Sequence, residues 1–319
     1  MWKKVFLSLA ALGVILVALY SLGSLLRPSI QGRIFETLVR HTETKQQNAH
    51  FAERPAGQLA SVPPPAGLMS RYRISSRPFD GHTLWSMAPL EGENRQQVLY
   101  LHGGAYVSGI SAMHWRTLAE FVDRCQCTFI LPDYPLAPRH QVDETLHLLV
   151  SLYRELLATY GASNLTLMGD SAGGGLAMAL AMQLRQKDLE QPARLILLSP
   201  WLDISLSNPD IARVDRHDPI LSVPGLKQAG QAWAGPHALT DYQVSPLYGP
   251  LEELAPILLF TGTHDILMPD ARRLRERAAA AHARLDYREY PGMLHCWYIA
   301  DYLPETRELL EQVGQNLNP

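Results

Sequence analysis

Residues 169–174 read Gly-Asp-Ser-Ala-Gly-Gly, directly after an apolar run at 165–169 and directly before a helix-forming stretch. Small residues on both sides of Ser171 permit a sharp strand-to-helix turn, and such a turn presents the serine oxygen at the carboxyl edge of a sheet. The chemistry this implies is nucleophilic attack on an acyl carbon. A serine hydroxyl is a weak nucleophile near neutral pH, so it needs a base, and the base needs a group that fixes its tautomer. In chains with this elbow the acid and then the histidine follow the serine. Asp265, in Gly-Thr-His-Asp-Ile-Leu at 262–267, and His295, in Pro-Gly-Met-Leu-His-Cys-Trp at 291–297, each follow a strand-like run and are expected on the same sheet edge as Ser171. Asp270 is a rival acid, but it stands where the next helix starts, and carboxylates are common there as caps. His264 and His282 are rival bases, the first expected to point away from its neighbour's direction and the second to lie within a helix. Each reads more simply as a solvated or packed histidine.

A second small-residue loop lies upstream, where residues 102–106 read His-Gly-Gly-Ala-Tyr. Acyl transfer creates an oxyanion, and backbone N–H groups of such a loop approach it without a side-chain clash. Together with the amide of Ala172 the loop is expected to supply the donors. An ordinary turn is the plainer reading of its glycines. The helix after Ser171 would aim its N-terminal amides at the same developing charge. Tyr106, Trp201, Met293 and Trp297 are expected either to line an acyl or alcohol pocket or to pack in the core.

These groups need a scaffold that gathers loop ends on one edge, and the hydrophobic pattern supplies one. Short apolar runs at 98–102, 128–132, 165–169, 194–199, 257–262 and 285–290 read as buried strands, and amphipathic stretches at 142–160, 173–187, 269–281 and 304–317 read as helices between most of them. This alternation predicts an α/β fold with a mostly parallel central sheet flanked by helices. A hairpin is expected from 71–75 and 82–88 around Asp80-Gly81. Residues 203–242 contain no convincing strand and read as a cap insertion. Residues 29–68 read as a linker and part of that cap, leaving 69–319 as the main domain.

The 319 residues are 47% hydrophobic, and 28 Lys+Arg stand against 31 Asp+Glu for a net charge of −3. That composition supports a large core, excludes disorder, and lacks the basic footprint of a nucleic-acid binder. Three cysteines are too few for a disulfide framework, and their spacing is no metal signature. No metal or organic cofactor is expected. After Lys3 and Lys4, the 22 residues 5–26 carry no charge. As a helix they would span about 33 Å, enough to cross a bilayer core of about 30 Å. Residues 1–28 are therefore expected to be a transmembrane anchor with the rest on the non-cytoplasmic side, or a cleaved signal segment that leaves a secreted or periplasmic protein.

With these motifs in order, the chain resembles the hormone-sensitive-lipase-like family of α/β-hydrolases over about residues 84–297. The resemblance rests on His-Gly-Gly-Ala at 102, Asp-Tyr-Pro-Leu-Ala-Pro at 133–138, Gly-Asp-Ser-Ala-Gly-Gly at 169, Leu-Leu-Ser-Pro-Trp-Leu-Asp at 197–203, Ser-Pro-Leu-Tyr-Gly from 245, and the segments at 262 and 291. It implies an α/β-hydrolase fold. Ser171 would be the nucleophile, His295 the general base and then acid, and Asp265 its orienting partner. The oxyanion hole would come from Gly104 and Ala105, with Gly103 in the same loop, and from Ala172; His102 would support the loop rather than act as a base. Two positions depart from the family pattern. Ala105 replaces a glycine, adding a Cβ while keeping the donor, and residues 134–139 lack the family's Arg and Glu. The activity implied is hydrolysis of short- or medium-chain acyl esters through an acyl-enzyme, with acetyl esters of small alcohols, phenols or sterols as candidates. Acetyl-amide or lactone hydrolysis, cleavage of small acylated peptides, and a non-catalytic ligand receptor are the alternatives. Activity is expected to rise as His295 loses its proton near its ordinary pKa of about 6.5.

Overall fold

The computed structural model describes residues 28–50, 59–92 and 95–318. The apolar run at 5–26 lies outside the described residues. Among those described, no helix is long and apolar enough to cross a membrane.

The hairpin forms from β1 (Tyr72–Phe79) and β2 (His82–Pro89). Asp80 and Gly81 both take left-handed backbone angles, φ 46° and 78°, which is the geometry that turns two strands with the correct twist. Six more strands follow: β3 (Gln97–Leu101), β4 (Thr128–Pro132), β5 (Leu165–Asp170), β6 (Arg194–Leu198), β7 (Ile257–His264) and β8 (Leu285–Leu294). They join β1 and β2 in one sheet of order β1-β2-β4-β3-β5-β6-β7-β8, parallel from β4 through β8. β3 and β5 are buried along their whole length, whereas the first half of β8 alternates between exposed and half-buried residues. That difference is positional. Central strands are covered on both faces and need apolar groups at every residue, while an edge strand keeps one wet face.

In chain order the helices of more than one turn are α1 (Ile30–Arg40), α2 (Thr44–Ala49), α3 (Ala112–Cys125), α4 (Val142–Tyr160), α5 (Ala172–Gln186), α6 (Val223–Ala234), α7 (Met268–Ala280) and α8 (Pro304–Leu317). The sheet divides two cores. Leu99, Leu167, Leu197 and Leu259 pack with α4, α5 and α7 on one face, and Tyr100, Met168, Ile196 and Phe260 pack with α3 and α8 on the other. α3 is an addition to the helices read from the sequence. Its buried side chains Trp115, Leu118, Val122 and Cys125 recur at helical spacing, and Ser111 caps its start. Residues 203–242 contain no strand but do contain α6, whose Trp233 stacks on Tyr106 with ring centres 4.3 Å apart. The segment expected as a linker carries α1 and α2.

One backbone contact places the site. α5 starts against the end of β3, so close that a Cβ on Gly173 would lie 1.9 Å from the carbonyl oxygen of Leu101 and 2.5 Å from that of His102. Only glycine fits there. Gly173→Ala is expected to lower stability by about 1–3 kcal/mol or more, measured as a lower urea midpoint. Gly67→Ala, where an added methyl group meets nothing within 4 Å, is expected to change it by less than about 0.5 kcal/mol.

Candidate active site

Ser171 occupies the turn between β5 and α5 with φ 52° and ψ −122°. A non-glycine residue pays for that conformation, and hydrogen bonds on both sides of its peptide hold it. Its N–H donates to Leu198 O at 2.9 Å, while its carbonyl accepts from Gly174 N, Gly175 N and Trp201 N at 3.1, 3.2 and 2.8 Å. The side chain is then fixed in direction. Ser171 Oγ lies 2.9 Å from His295 Nε2, and His295 Nδ1 lies 2.8 Å from Asp265 Oδ2. A carboxylate only accepts, so Nδ1 carries the proton and Nε2 presents its lone pair to the serine hydroxyl. His295 is 6% exposed and Asp265 is fully buried. The second Asp265 oxygen accepts the amide of Leu267 at 2.8 Å.

The rival groups lie elsewhere. Asp270, in the first turn of α7, accepts from Asn208 Nδ2 at 2.9 Å, and burial pushes its carboxyl up to about 6. His264 faces away from Ser171, pairing with Glu36 at 2.9 Å and stacking on His217. His282 is not within a helix as expected. It occupies a left-handed turn position, φ 53°, just after α7.

In the upstream loop the amides divide into two kinds. Gly103 N donates to Asp170 Oδ1 at 2.8 Å, so this amide is committed to the scaffold and is removed from the donor set expected from the sequence. The amides of Gly104, Ala105 and Ala172 have no acceptor among the described residues. Gly104 and Ala105 take positive φ of 116° and 55°, so the Cβ at Ala105 is held in a backbone region that glycine enters without strain. Ala172 is the first residue of α5, where amides have no partner within the helix. His102 is buried, with Nδ1 donating to Gly103 O at 2.7 Å and its ring stacked on Tyr134 at 4.2 Å. Burial and the nearby His114 drive its pKa down to about 3, so it is neutral and works as a brace.

Two buried carboxylates escaped the sequence reading as parts of the site. Asp170 Oδ1 accepts from Tyr100 Oη at 2.6 Å as well as from Gly103 N, and thereby ties the elbow to the upstream loop. Burial works against its charge, but His114 and the Tyr100 hydroxyl outweigh it and the net shift is downward. Asp218 accepts Ile266 N at 2.9 Å through one oxygen, and Ile220 N and Leu221 N at 2.8 and 2.9 Å through the other. It thus joins the 203–242 interval to the residue after Asp265. Burial and the charge of Asp265 push its carboxyl up to about 6. In the sequence Asp218-Pro219 shows only a turn, because its amide partner Ile266 lies on a distant loop.

Ser171 and His295 open on a cavity of about 520 Å³, walled by Phe35 and Val39 of α1, by Ile220, Leu221 and Leu226, and by Ile299. The four aromatic and apolar residues weighed as pocket lining are core instead. Tyr106 lies between Trp201 and Trp233, Trp297 packs on Tyr290, and all four are at most 1% exposed. A second cavity, of about 250 Å³ beside Ser75, Trp85 and Glu155, shares no residue with the site.

Residues 98–299 match the alpha/beta hydrolase fold family. The chain is 33% identical over 228 residues to an esterase of Acinetobacter venetianus, covering 69% of this chain and 74% of that protein. It is 29% identical over 224 residues to an acetyl-hydrolase of Streptomyces hygroscopicus, covering 70% and 75%. The solved structure of an esterase from the bacterial hormone-sensitive lipase family superposes with a TM-score of 0.75 at 27% identity, covering 88% of this chain and 96% of that one.

The surroundings of His295 set a pH dependence. Burial alone would depress its pKa, but the neighbouring Cys296 sulfur and the Asp265 carboxylate oppose this, and the net shift is upward from 6.5. Burial keeps the Cys296 thiol protonated at neutral pH, so the carboxylate is the charge that acts. A raised pKa means the free base appears at higher pH than the sequence alone suggests. The acidic limb of kcat/KM is expected to have its midpoint above pH 6.5, and Asp265→Asn to move it down while lowering kcat by about 10³–10⁴. Asp218→Ala removes the acceptor of three amides, two of them buried, and frees the loop carrying Asp265. Steady-state kinetics on this variant should show kcat reduced by about 10².

Proposed function

The chain belongs to the hormone-sensitive-lipase-like branch of the alpha/beta hydrolase fold family, a family of serine ester and acetyl hydrolases, and from that premise we propose that it cleaves short-chain acyl esters on Ser171. One observation carries the reading. The contacts from Asp265 through His295 to Ser171 are continuous, at 2.8 and 2.9 Å, and end in a largely apolar cavity.

In the proposed reaction Ser171 Oγ attacks the acyl carbon as its proton passes to His295 Nε2. The imidazolium that forms is stabilised by Asp265. The carbonyl oxygen becomes an oxyanion and takes the amides of Gly104, Ala105 and Ala172, each such donor being worth about 10²–10³ in rate. The C–O bond to the alcohol then breaks, and the alcohol departs with the proton from His295. Water attacks the acyl-enzyme, giving one proton to Nε2; the collapse returns that proton to Ser171 and releases the carboxylic acid, which gives its remaining proton to solvent as the carboxylate forms. The N-terminus of α5 adds its dipole at the same point.

A cavity of about 520 Å³ falls within the range of about 300–1,000 Å³ typical of pockets that bury a drug-sized molecule. That supports a short acyl group, acetyl included, on a small or ring-containing alcohol such as a phenol or sterol. The acetyl-hydrolase among the relatives supports the same choice. The uncharged run at 5–26 supports a single N-terminal tether with the hydrolase on the non-cytoplasmic side, with export after cleavage as the alternative.

Full-length protein is expected to give an acyl-enzyme burst with p-nitrophenyl acetate and butyrate and little turnover of the palmitate. Ser171→Ala should lower kcat by up to about 10⁶ with an unchanged circular dichroism spectrum. Undiminished turnover by that variant would refute the assignment.

A further inference from the structure

Three large aliphatic side chains of α1, Ile30, Ile34 and Leu38, are 64%, 55% and 61% exposed. Their i, i+4, i+8 spacing sets them on one face of the helix, within an arc of about 80°. Arg33 is exposed on the flank of that face. The opposite side of the helix is firmly seated. Ser29 accepts from Gly32 N at 2.9 Å and donates from its amide and hydroxyl to the Glu305 carboxylate at 2.7 and 2.9 Å. Gly32 is packed so tightly that a Cβ there would lie 2.5 Å from Met293 Cε. Glu36 pairs with His264 and Arg40, and Arg40 reaches the carbonyls of Arg216 and His217. The aliphatic stripe is therefore held in a fixed direction on a rigid helix.

The chain leading into α1 indicates what covers the stripe. The uncharged run ends at Leu26, four residues before Ile30, a reach of at most about 14 Å even when fully extended. Pro28 packs on Gly292, three residues before His295. A bilayer that holds residues 5–26 thus presents its surface to α1. It also lies close to the cavity, because Phe35 and Val39 on the same helix line it, as does Met113, itself 51% exposed. Aliphatic groups on one face with a cation beside them suit the boundary between acyl chains and lipid phosphates.

We propose that the outward face of α1, formed by Ile30, Ile34 and Leu38 with Arg33 at its margin, docks on the lipid bilayer and turns the Ser171 cavity toward it, so that esters dissolved in the membrane enter from the lipid side. The docking rests on the tether reading, and the entry of esters on the hydrolase reading above.

The test uses the full chain reconstituted in vesicles of phosphatidylcholine and phosphatidylglycerol. An environment-sensitive dye is placed at Ile34→Cys, and in a separate sample at Ala158→Cys near the end of α4, at the opposite sheet edge. Both carry Cys296→Ser, since Cys125 and Cys127 are buried. Lipids brominated in their acyl chains are expected to quench the dye at position 34 severalfold more than that at 158. Equal, weak quenching at both positions overturns the proposal, as does failure of the chain to associate with vesicles. A blue shift at 34 without bromolipid quenching also overturns it, because the face is then covered by protein, either a second copy or residues 5–26. The triple variant Ile30→Ser/Ile34→Ser/Leu38→Ser should keep its turnover of p-nitrophenyl acetate in buffer and lose severalfold on an acetyl ester carried in vesicles. Equal rates on the vesicle-borne ester for parent and triple variant would refute entry from the lipid side. Absence of p-nitrophenyl acetate turnover in the parent would instead refute the hydrolase reading, and the quenching result would stand apart from it.

Discussion

The contact between the start of α5 and the end of β3 is the constraint from which the site follows. Gly173 lets a helix N-terminus rest on the carbonyls of Leu101 and His102, which brings the elbow and the upstream loop side by side. Three features then converge without further cost: a serine oxygen lifted out of the sheet, helix amides with no intrahelical partner, and a second set of amides from residues 104 and 105. The strain at Ser171 is the local expense of this arrangement. It is offset by four backbone hydrogen bonds that tie its peptide to β6, the residues after it and the first turn of α5.

Around that contact, carboxylates serve as backbone fasteners. Asp170 holds Gly103, Asp218 holds Ile266, Ile220 and Leu221, and Asp265 holds Leu267 while also facing His295. Charged groups are expensive to bury, and each of these is matched by amide or hydroxyl donors that recover part of the expense. The result is preorganisation. The loops bearing the acid and the oxyanion donors are fixed before substrate arrives, so little reorganisation remains for the transition state. The proximity of Asp265 has a further effect, since burial and that neighbouring charge together raise the affinity of Asp218 for its proton.

The N-terminal helices and the 203–242 interval close the cavity together. Lys45 donates to the Asp215 carboxylate and to the carbonyls of Asp215 and Asp218, and Asn48 donates to Ile220 O. Segments far apart in sequence therefore share one wall, and α1 follows closely on the uncharged run at 5–26. In the proposed reaction this joint wall shapes the space open to substrate, whereas Ser171, Asp265 and His295 sit at the strand ends beneath it.

Strand positions, the hairpin and most helices were legible in the sequence, because burial on one or two faces imposes periods of two or 3.6 on the side chains. The order of Ser171, Asp265 and His295 after β5, β7 and β8 was legible for the same reason, since parallel strands deliver those loops to one edge. Contacts between distant loops leave no local pattern. Gly103 looked like a donor to an oxyanion until Asp170 was seen to take its amide, Asp218 looked like a turn residue, and Tyr106, Trp201, Met293 and Trp297 were indistinguishable from pocket lining. The sequence by itself thus determined the scaffold and the chemical groups it carries. Only the tertiary structure decided which amides are spent, which carboxylates fasten which loops, and that α1 walls the cavity, because each of these depends on where separate segments meet in space.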